Sequence, residues 1–304
     1  MKGLVVSDGP GFDALRLRDD LPEPVPGPGE VLIRVKSAGV NFADAKGIMG
    51  IYATPPRPYT PGMEVAGTDP DGRPVLAFCP AGGWAELAVA RRELVFDATG
   101  LDLEAAGAYP LVVLTCHFAL AGMARLEPGQ SVLVLAGAGG IGATAIQTAR
   151  HLGAGHVVAV ASTAEKRNFA LAQGADEAIA YEDPFPAADV TLDGVGGEAF
   201  LKAYRASRPF ARMVLIGSSS GTAPSIPDFG ELRQRSVALM PFSFGAMRQS
   251  NPAAVAEEAP GAFQAVREGR VRPPIGLRLP LSEGRVGLER LVGRQTMGKV
   301  VLHP

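Results

Sequence analysis

A short apolar run, Ser131-Val132-Leu133-Val134-Leu135, leads into Gly137-Ala138-Gly139-Gly140-Ile141-Gly142. Glycines spaced as at 137, 139 and 142 suit a turn that receives a pyrophosphate. Gly137 permits a tight turn, Gly139 lets the backbone approach a phosphate, and Gly142 lets the next helix pack closely on the strand. A helix opening at Gly140, with Ile141 and Gly142 in its first turn, would offer free N–H groups and a positive dipole end to the anion. The glycine pattern alone is weak; between a strand and an amphipathic helix it becomes specific.

The following run, His156-Val157-Val158-Ala159-Val160, ends in Ala161-Ser162-Thr163. An NAD site usually places a carboxylate at this strand end to accept from the ribose 2′-hydroxyl. None is present, and Lys166 and Arg167 follow. A hydroxyl at Ser162 and a cation at Lys166 suit a 2′-phosphate, so the chemistry favours NADPH. The alternative is that Lys166 and Arg167 decorate a solvated helix face.

These residues need a scaffold, and the pattern along the chain supplies one. Before about residue 105, strand-like runs such as Val31–Lys36 and Val75–Phe78 are separated by turns without long helices. From there to about 245, continuous apolar strands alternate with helical stretches, which implies a parallel sheet covered on both faces. A helix over Pro252–Glu268, a helix near Gly284–Val292 and a strand at Lys299–Leu302 follow, and read as a return to the amino-terminal unit. Leu111–Ala124 is expected to be one buried helix.

The formal net charge of −2 over 304 residues, with no basic stripe, gives no reason to expect nucleic acid. No apolar run approaches the ~18 residues of a membrane span. Two cysteines, Cys79 and Cys116, cannot form a disulfide framework, so a cytoplasmic location is the default.

Several motifs, widely spaced and in order, resemble the medium-chain dehydrogenase/reductase superfamily. They are Ala38-Gly39-Val40-Asn41-Phe42-Ala43-Asp44, Pro61-Gly62-Met63-Glu64-Val65-Ala66-Gly67, Leu114-Thr115, the glycine turn, Gly174-Ala175-Asp176, Asp193-Gly194-Val195-Gly196 and Gly298-Lys299-Val300-Val301-Leu302. Within the superfamily the chain is similar to the zinc-free quinone oxidoreductase branch. The resemblance implies an α/β protein: a Rossmann doubly wound parallel-sheet domain (108–244) inserted into a GroES-like β-rich catalytic domain (1–107 and 245–304). Ala38 and Met63 stand where zinc-dependent relatives carry cysteine and histidine.

By the same resemblance, Asn41 is the polar residue near the nicotinamide and Tyr52 the active-site tyrosine. Lys166 and Tyr181 hold the 2′-phosphate, while Thr115, Gly217, Ser218 and Lys299 join the cofactor-binding set. Ordinary readings stand beside these: Asn41 as a turn stabiliser, Tyr52 as packing, Asp44 as an acceptor for backbone N–H groups, and His117 as a satisfied core histidine. Thr68–Arg73 is shorter than the usual connection, which puts substrate contacts there in doubt.

The implied reaction is hydride transfer from NADPH to a quinone or enone without zinc. Reduction of an enoyl thioester or alkenal, and cofactor binding without turnover, are the alternatives. The branch also implies a homodimer formed through the sheet edge near Val237–Phe242.

Overall fold

The computed structural model describes residues 1–304. Its contacts gather into two compact units: Met1–Leu111 with Asn251–Gly261 and Ile275–Pro304, and Val112–Ser250 with Ala262–Pro274. The architecture is α/β, with a parallel Rossmann sheet in one unit and a GroES-like β structure in the other.

The β-rich unit is organised on the eleven-residue strand Glu30–Val40. Val31, Ile33 and Val35 turn inward while Arg34 and Lys36 face solvent, the period-two pattern of a strand with one wet face. From Ser37 to Val40 burial becomes continuous, because both faces of the strand are covered there. The helix Leu103–Ala106 lies over this end, with Ser37 Oγ donating to the Leu103 carbonyl at 2.5 Å and accepting from the Gly107 N–H at 3.0 Å. Three strands pair with the edges of Glu30–Val40. Leu87–Arg91 pairs antiparallel with its first half, Glu64–Thr68 runs along it, and the chain's final strand, Lys299–His303, pairs with its end. Val300 lies opposite Val40 and Leu302 opposite Ala38. The core beneath includes Ile33, Val65, Trp84, Leu288, Val300 and Leu302. The last strand therefore holds the backbone that leads into Asn41.

The second unit carries six parallel strands in the order Glu177–Ile179, His156–Val160, Ser131–Leu135, Val190–Asp193, Arg212–Leu215, Ala238–Pro241. Numbered along the chain this is 3-2-1-4-5-6, the doubly wound Rossmann order. Alternate residues of each strand feed different cores. Val132 and Val134 join Ile146 and Ala159 on one face, while Leu133 and Leu135 join Phe200, Tyr204 and Met213 on the other. Burial on both faces explains why these strands read as unbroken apolar runs. The order reverses between Ser131–Leu135 and Val190–Asp193, and a crevice at such a reversal opens at the strands' carboxyl ends.

Two local features differ from expectation. The single helix expected over Leu111–Ala124 is instead an α-helix, Pro110–His117, followed by a π-helical turn, Phe118–Met123. His117 sits half-buried at the junction, edge-on to Phe118 with ring centroids 5.7 Å apart. The segment Ala262–Pro274 also groups with the nucleotide-type unit rather than with the β-rich one. Gln147 accounts for part of this, donating to the Arg272 carbonyl at 3.0 Å and accepting from the Arg272 N–H at 2.6 Å. No helix is long and apolar enough to cross a membrane.

Candidate active site

In the β-rich unit, four polar side chains meet where apolar packing would be expected. Asn41, Asp44, Glu64 and Lys299 are all under 7% exposed. Glu64 is the hub: Oε1 accepts from Asn41 Nδ2 at 2.8 Å and Lys299 Nζ at 3.0 Å, and Oε2 accepts from the Leu111 N–H at 2.7 Å. Lys299 Nζ also donates to Asn41 Oδ1 and to the Val40 carbonyl at 3.3 Å. A β-carbon on Gly39 would fall 2.1 Å from Glu64 Oε1, so only glycine leaves room for this carboxylate.

Asn41 also starts the helix Phe42–Ile48, and its N–H donates to Asp44 Oδ2 at 2.8 Å. Asp44 thus acts as an acceptor for a backbone N–H group. Burial pushes its carboxyl up from 3.8 to about 7; the Asn41 N–H draws it down, Glu64 raises it further, and Lys299 and the Asn41 side-chain amide oppose that.

An ammonium has three hydrogens, and those of Lys299 already have Val40 O, Asn41 Oδ1 and Glu64 Oε1 as acceptors. The residue expected in the cofactor-binding set is thus placed among acceptors inside the protein. Tyr52 is 48% exposed; Lys46 Nζ donates to its hydroxyl at 3.3 Å and lies 5.1 Å from its ring centre.

The second unit assembles its site from backbone. Gly139 is the N-cap of the helix Gly140–His151, in extended conformation, and no side chain caps that end. The first N–H groups of the helix, those of Gly140, Ile141 and Gly142, have no carbonyl one turn earlier to bond. A β-carbon on Gly139 would meet nothing closer than the Ala136 carbonyl oxygen at 3.3 Å, whereas one on Gly142 would stand 2.2 Å from that same atom. Gly142 is thus required by the fold, and Gly139 leaves an open approach to the donors.

Gly137 differs from its expected role. The left-handed residue in the turn is Ala136, with φ 55°. Gly137 is needed because a β-carbon there would come 2.7 Å from Ala159 Cβ on the adjacent strand. The Ala136 N–H donates to the Tyr181 hydroxyl at 3.2 Å, which brings that phenol to the base of the turn.

Ser162 lies exposed just beyond His156–Val160. Lys166 is half-buried in the first turn of the helix Ala164–Ala172, whose Thr163 cap accepts from its N–H at 3.2 Å. Arg167 is turned back onto the carbonyls of Ala161 and Ser162 at 3.4 and 3.3 Å. Thr115 is buried in the helix Pro110–His117. Cys116 donates to the Ile141 carbonyl at 3.4 Å, and burial raises its thiol pKa well above the ordinary value, which suits an inert packing residue.

Gly217 and Ser218 open a loop folded over Asp193–Gly197: the Ser219 N–H reaches the Gly194 carbonyl at 2.9 Å and the Ser220 N–H the Val195 carbonyl at 3.1 Å. Asp193 Oδ1 accepts from the N–H groups of Val195 and Gly196 at 2.7 and 3.0 Å, while Oδ2 is buried without a partner. Burial holds this carboxyl above its ordinary pKa, and those two hydrogen bonds oppose the shift. Sequence reasoning gave no role to Asp193 or Glu64. Their signal was a carboxylate at the end or start of an apolar strand, where a charge needs a structural reason.

Residues 27–68 match the family described as "Alcohol dehydrogenase GroES-like domain", and residues 140–259 match "Zinc-binding dehydrogenase". "Quinone oxidoreductase-like protein 2" of Bos taurus is 30% identical, over 95% of this chain and 88% of its own. The chain belongs to the medium-chain dehydrogenase/reductase superfamily, in its quinone oxidoreductase branch. Two solved members of similar shape cover this chain and themselves completely. The quinone oxidoreductase from Thermus thermophilus, solved also in complex with NADPH, is 34% identical with a TM-score of 0.88. The mycobacterial protein Rv1454c, complexed with NADPH, is 30% identical with a TM-score of 0.91. The medium-chain dehydrogenase/reductase glycine turn is here the uncapped helix end at Gly140–Gly142.

Two outcomes test this geometry. Gly142→Ala should destabilise the protein by about 1–3 kcal/mol or more, through the clash with Ala136, whereas Gly139→Ala should leave the thermal midpoint within about 2 °C, roughly the effect of 0.5–1 kcal/mol. Differential scanning calorimetry separates them.

Asp44 gives a pH dependence. Its native pKa is raised to about 7 from 3.8. Between roughly pH 4 and 7 the native carboxyl holds a proton that the unfolded chain has released, so its contribution to stability falls as pH rises through that window. Urea unfolding of the wild type and Asp44→Asn at pH 5, 6.5 and 8 should show the variant gaining relative stability with pH. Parallel stability curves would contradict this.

Proposed function

We propose that this chain is an NADPH-dependent oxidoreductase that reduces a quinone or related conjugated carbonyl without zinc. The observation that carries the cofactor half is the uncapped start of Gly140–His151, left open by Gly139 at the switch point of the sheet. That cradle fits a pyrophosphate, because the donors are fixed backbone N–H groups at a positive helix end. Ser162 and Lys166 would take the 2′-phosphate, with the Tyr181 hydroxyl beside the turn. Gly217, Ser218 and Thr115 are proposed to line the rest of the dinucleotide site. The related structures that contain NADPH support the same choice.

When bound, NADPH supplies a hydride, two electrons with one proton. The protein's task is orientation and stabilisation of the charge that develops on the acceptor oxygen. We assign that oxygen to Asn41, with Tyr52 or solvent delivering the proton. The donor set supports zinc independence: Ala38 offers no ligand atom, Met63 offers only a thioether, and Glu64 is committed to Lys299. A quinone needs less polarisation than a simple ketone, which suits a site with one amide donor.

We assign the catalytic role to the unit of Met1–Leu111, Asn251–Gly261 and Ile275–Pro304, and the cofactor role to the unit of Val112–Ser250 and Ala262–Pro274, in place of the expected division at 107/108 and 244/245. We also propose a homodimer through the edge strand Ala238–Pro241, which pairs only with Arg212–Leu215 within the chain.

Lys166→Ala should weaken NADPH by about 10- to 100-fold, the loss of a charge-assisted contact of roughly 1.5–3 kcal/mol, and leave NADH nearly unchanged. Fluorescence titration with both cofactors measures it, and equal losses would refute the 2′-phosphate assignment. NADPH oxidation with 1,4-benzoquinone, 9,10-phenanthrenequinone, an enal and crotonyl thioester tests the acceptor class. Turnover should be highest with the quinones; turnover confined to the thioester would overturn the acceptor assignment, and tight binding without turnover would overturn the reaction.

A further inference from the structure

The helix Phe42–Ile48 ends in a tight reversal that brings Tyr52 back beside Lys46. The Ile51 and Tyr52 N–H groups both donate to the Lys46 carbonyl, at 2.8 and 3.2 Å, and Gly50 makes the turn with φ 76°. Lys46 Nζ then reaches the Tyr52 hydroxyl oxygen at 3.3 Å. That contact uses one of the three ammonium hydrogens. The other two, and the phenol hydrogen, meet no acceptor in the protein. Lys46 and Tyr52 therefore offer a ligand two adjacent donors and a positive charge.

Charge in this stretch is one-sided. From Phe42 to Tyr59 the charged residues are Asp44, Lys46 and Arg57. Asp44 is buried and accepts from the Asn41 N–H. Arg57 gives hydrogens to the carbonyls of Ser7, Gly9 and Ile48, at 3.2, 2.6 and 2.8 Å. No carboxylate pairs with either cation. Met49, Ile51 and Tyr52 are large side chains left exposed around the turn. Apolar surface with a few fixed donors and an unneutralised cation suits an aromatic ligand that carries an anion.

We propose that Lys46 is a specificity-determining residue: with Tyr52 it binds an anionic group on the acceptor, so the preferred substrates are conjugated carbonyl compounds bearing a carboxylate or sulfonate. This rests on the reading of Tyr52 as a residue of the acceptor site, and deepens it by naming the charge of the substrate. An exposed ammonium attracts an anion across water, with a modest gain that salt screens. Acceptors of equal size are then separated by charge.

The test uses the full-length protein with NADPH and two acceptors, 1,4-naphthoquinone-2-sulfonate and neutral 1,4-naphthoquinone. The readout is the ratio of their kcat/KM values, which cancels any general loss of activity. Lys46→Met should lower the ratio about two- to fivefold, the range of one exposed ion pair. Lys46→Glu turns attraction into repulsion of similar size and should lower it about four- to twenty-fivefold. Lys46→Arg keeps the charge and should hold the ratio within about twofold of wild type. A role confined to the helix end would lower the thermal midpoint and leave the ratio unmoved. An unchanged ratio in folded Lys46→Glu overturns the proposal.

A pair of ligands that cannot be reduced separates this failure from that of the reaction. With NADP+ bound, the wild type should bind 2-naphthalenesulfonate more tightly than neutral 2-naphthalenesulfonamide in isothermal titration, and Lys46→Glu should abolish that preference. If the preference is found but no quinone is reduced, the reaction fails while the anion site stands. If quinones are reduced without the preference, the anion site fails and the reaction stands.

Discussion

A carboxylate removed from water must find its full set of partners inside the protein, and Glu64 imposes that demand on the β-rich unit. Its two oxygens collect an ammonium, a side-chain amide and a backbone N–H from widely separated parts of the chain. Leaving one partner out of such a buried set costs several kcal/mol, roughly 3–5 for a broken buried ion pair. The last strand must therefore return beside Glu30–Val40, since only there can Lys299 reach the carboxylate. Gly39 must be glycine for the same reason. Asn41 then inherits a fixed position and a fixed amide from partners that lie more than 20 and more than 250 residues away.

The nucleotide-type unit handles charge by other means. At its glycine turn the fixed electrostatics come from main-chain N–H groups and a helix end. Two close approaches shape the turn, Gly137 against Ala159 and Gly142 against the Ala136 carbonyl. Asp193 ties the neighbouring strand end to the N–H groups of Val195 and Gly196, so the loop beginning at Gly217 packs on a stiff support. One unit thus fixes a side-chain amide through buried ions, and the other offers backbone donors that need no buried charge.

Legibility follows from how local each feature is. The parallel strands were readable because burial on both faces writes them as continuous apolar runs, and the glycine spacing was readable because strand, turn and helix are consecutive. Gly137 was readable as necessary but not for its reason: the contact that excludes a side chain comes from Ala159 on another strand. The π-turn at Phe118–Met123 was not legible, since an apolar segment carries no period that separates it from an α-helix. Glu64 and Lys299 were visible only as members of motifs, because their meeting spans 235 positions.

By itself the sequence determined the order of the strands along the chain, the glycine turn, the lack of an acid at Ser162, and ligand-poor side chains at Ala38 and Met63. Each depends on residues that are neighbours in the chain or on the chemistry of one side chain. Tertiary structure alone decided that Lys299 is spent on Glu64 and Asn41, that Asp44 titrates near neutrality, and that Gly139 is open while Gly142 is not. Those outcomes are set by distances between segments that only the closed sheets bring together, and a hydrogen bond or a desolvated charge has no local sequence signature until its partner arrives.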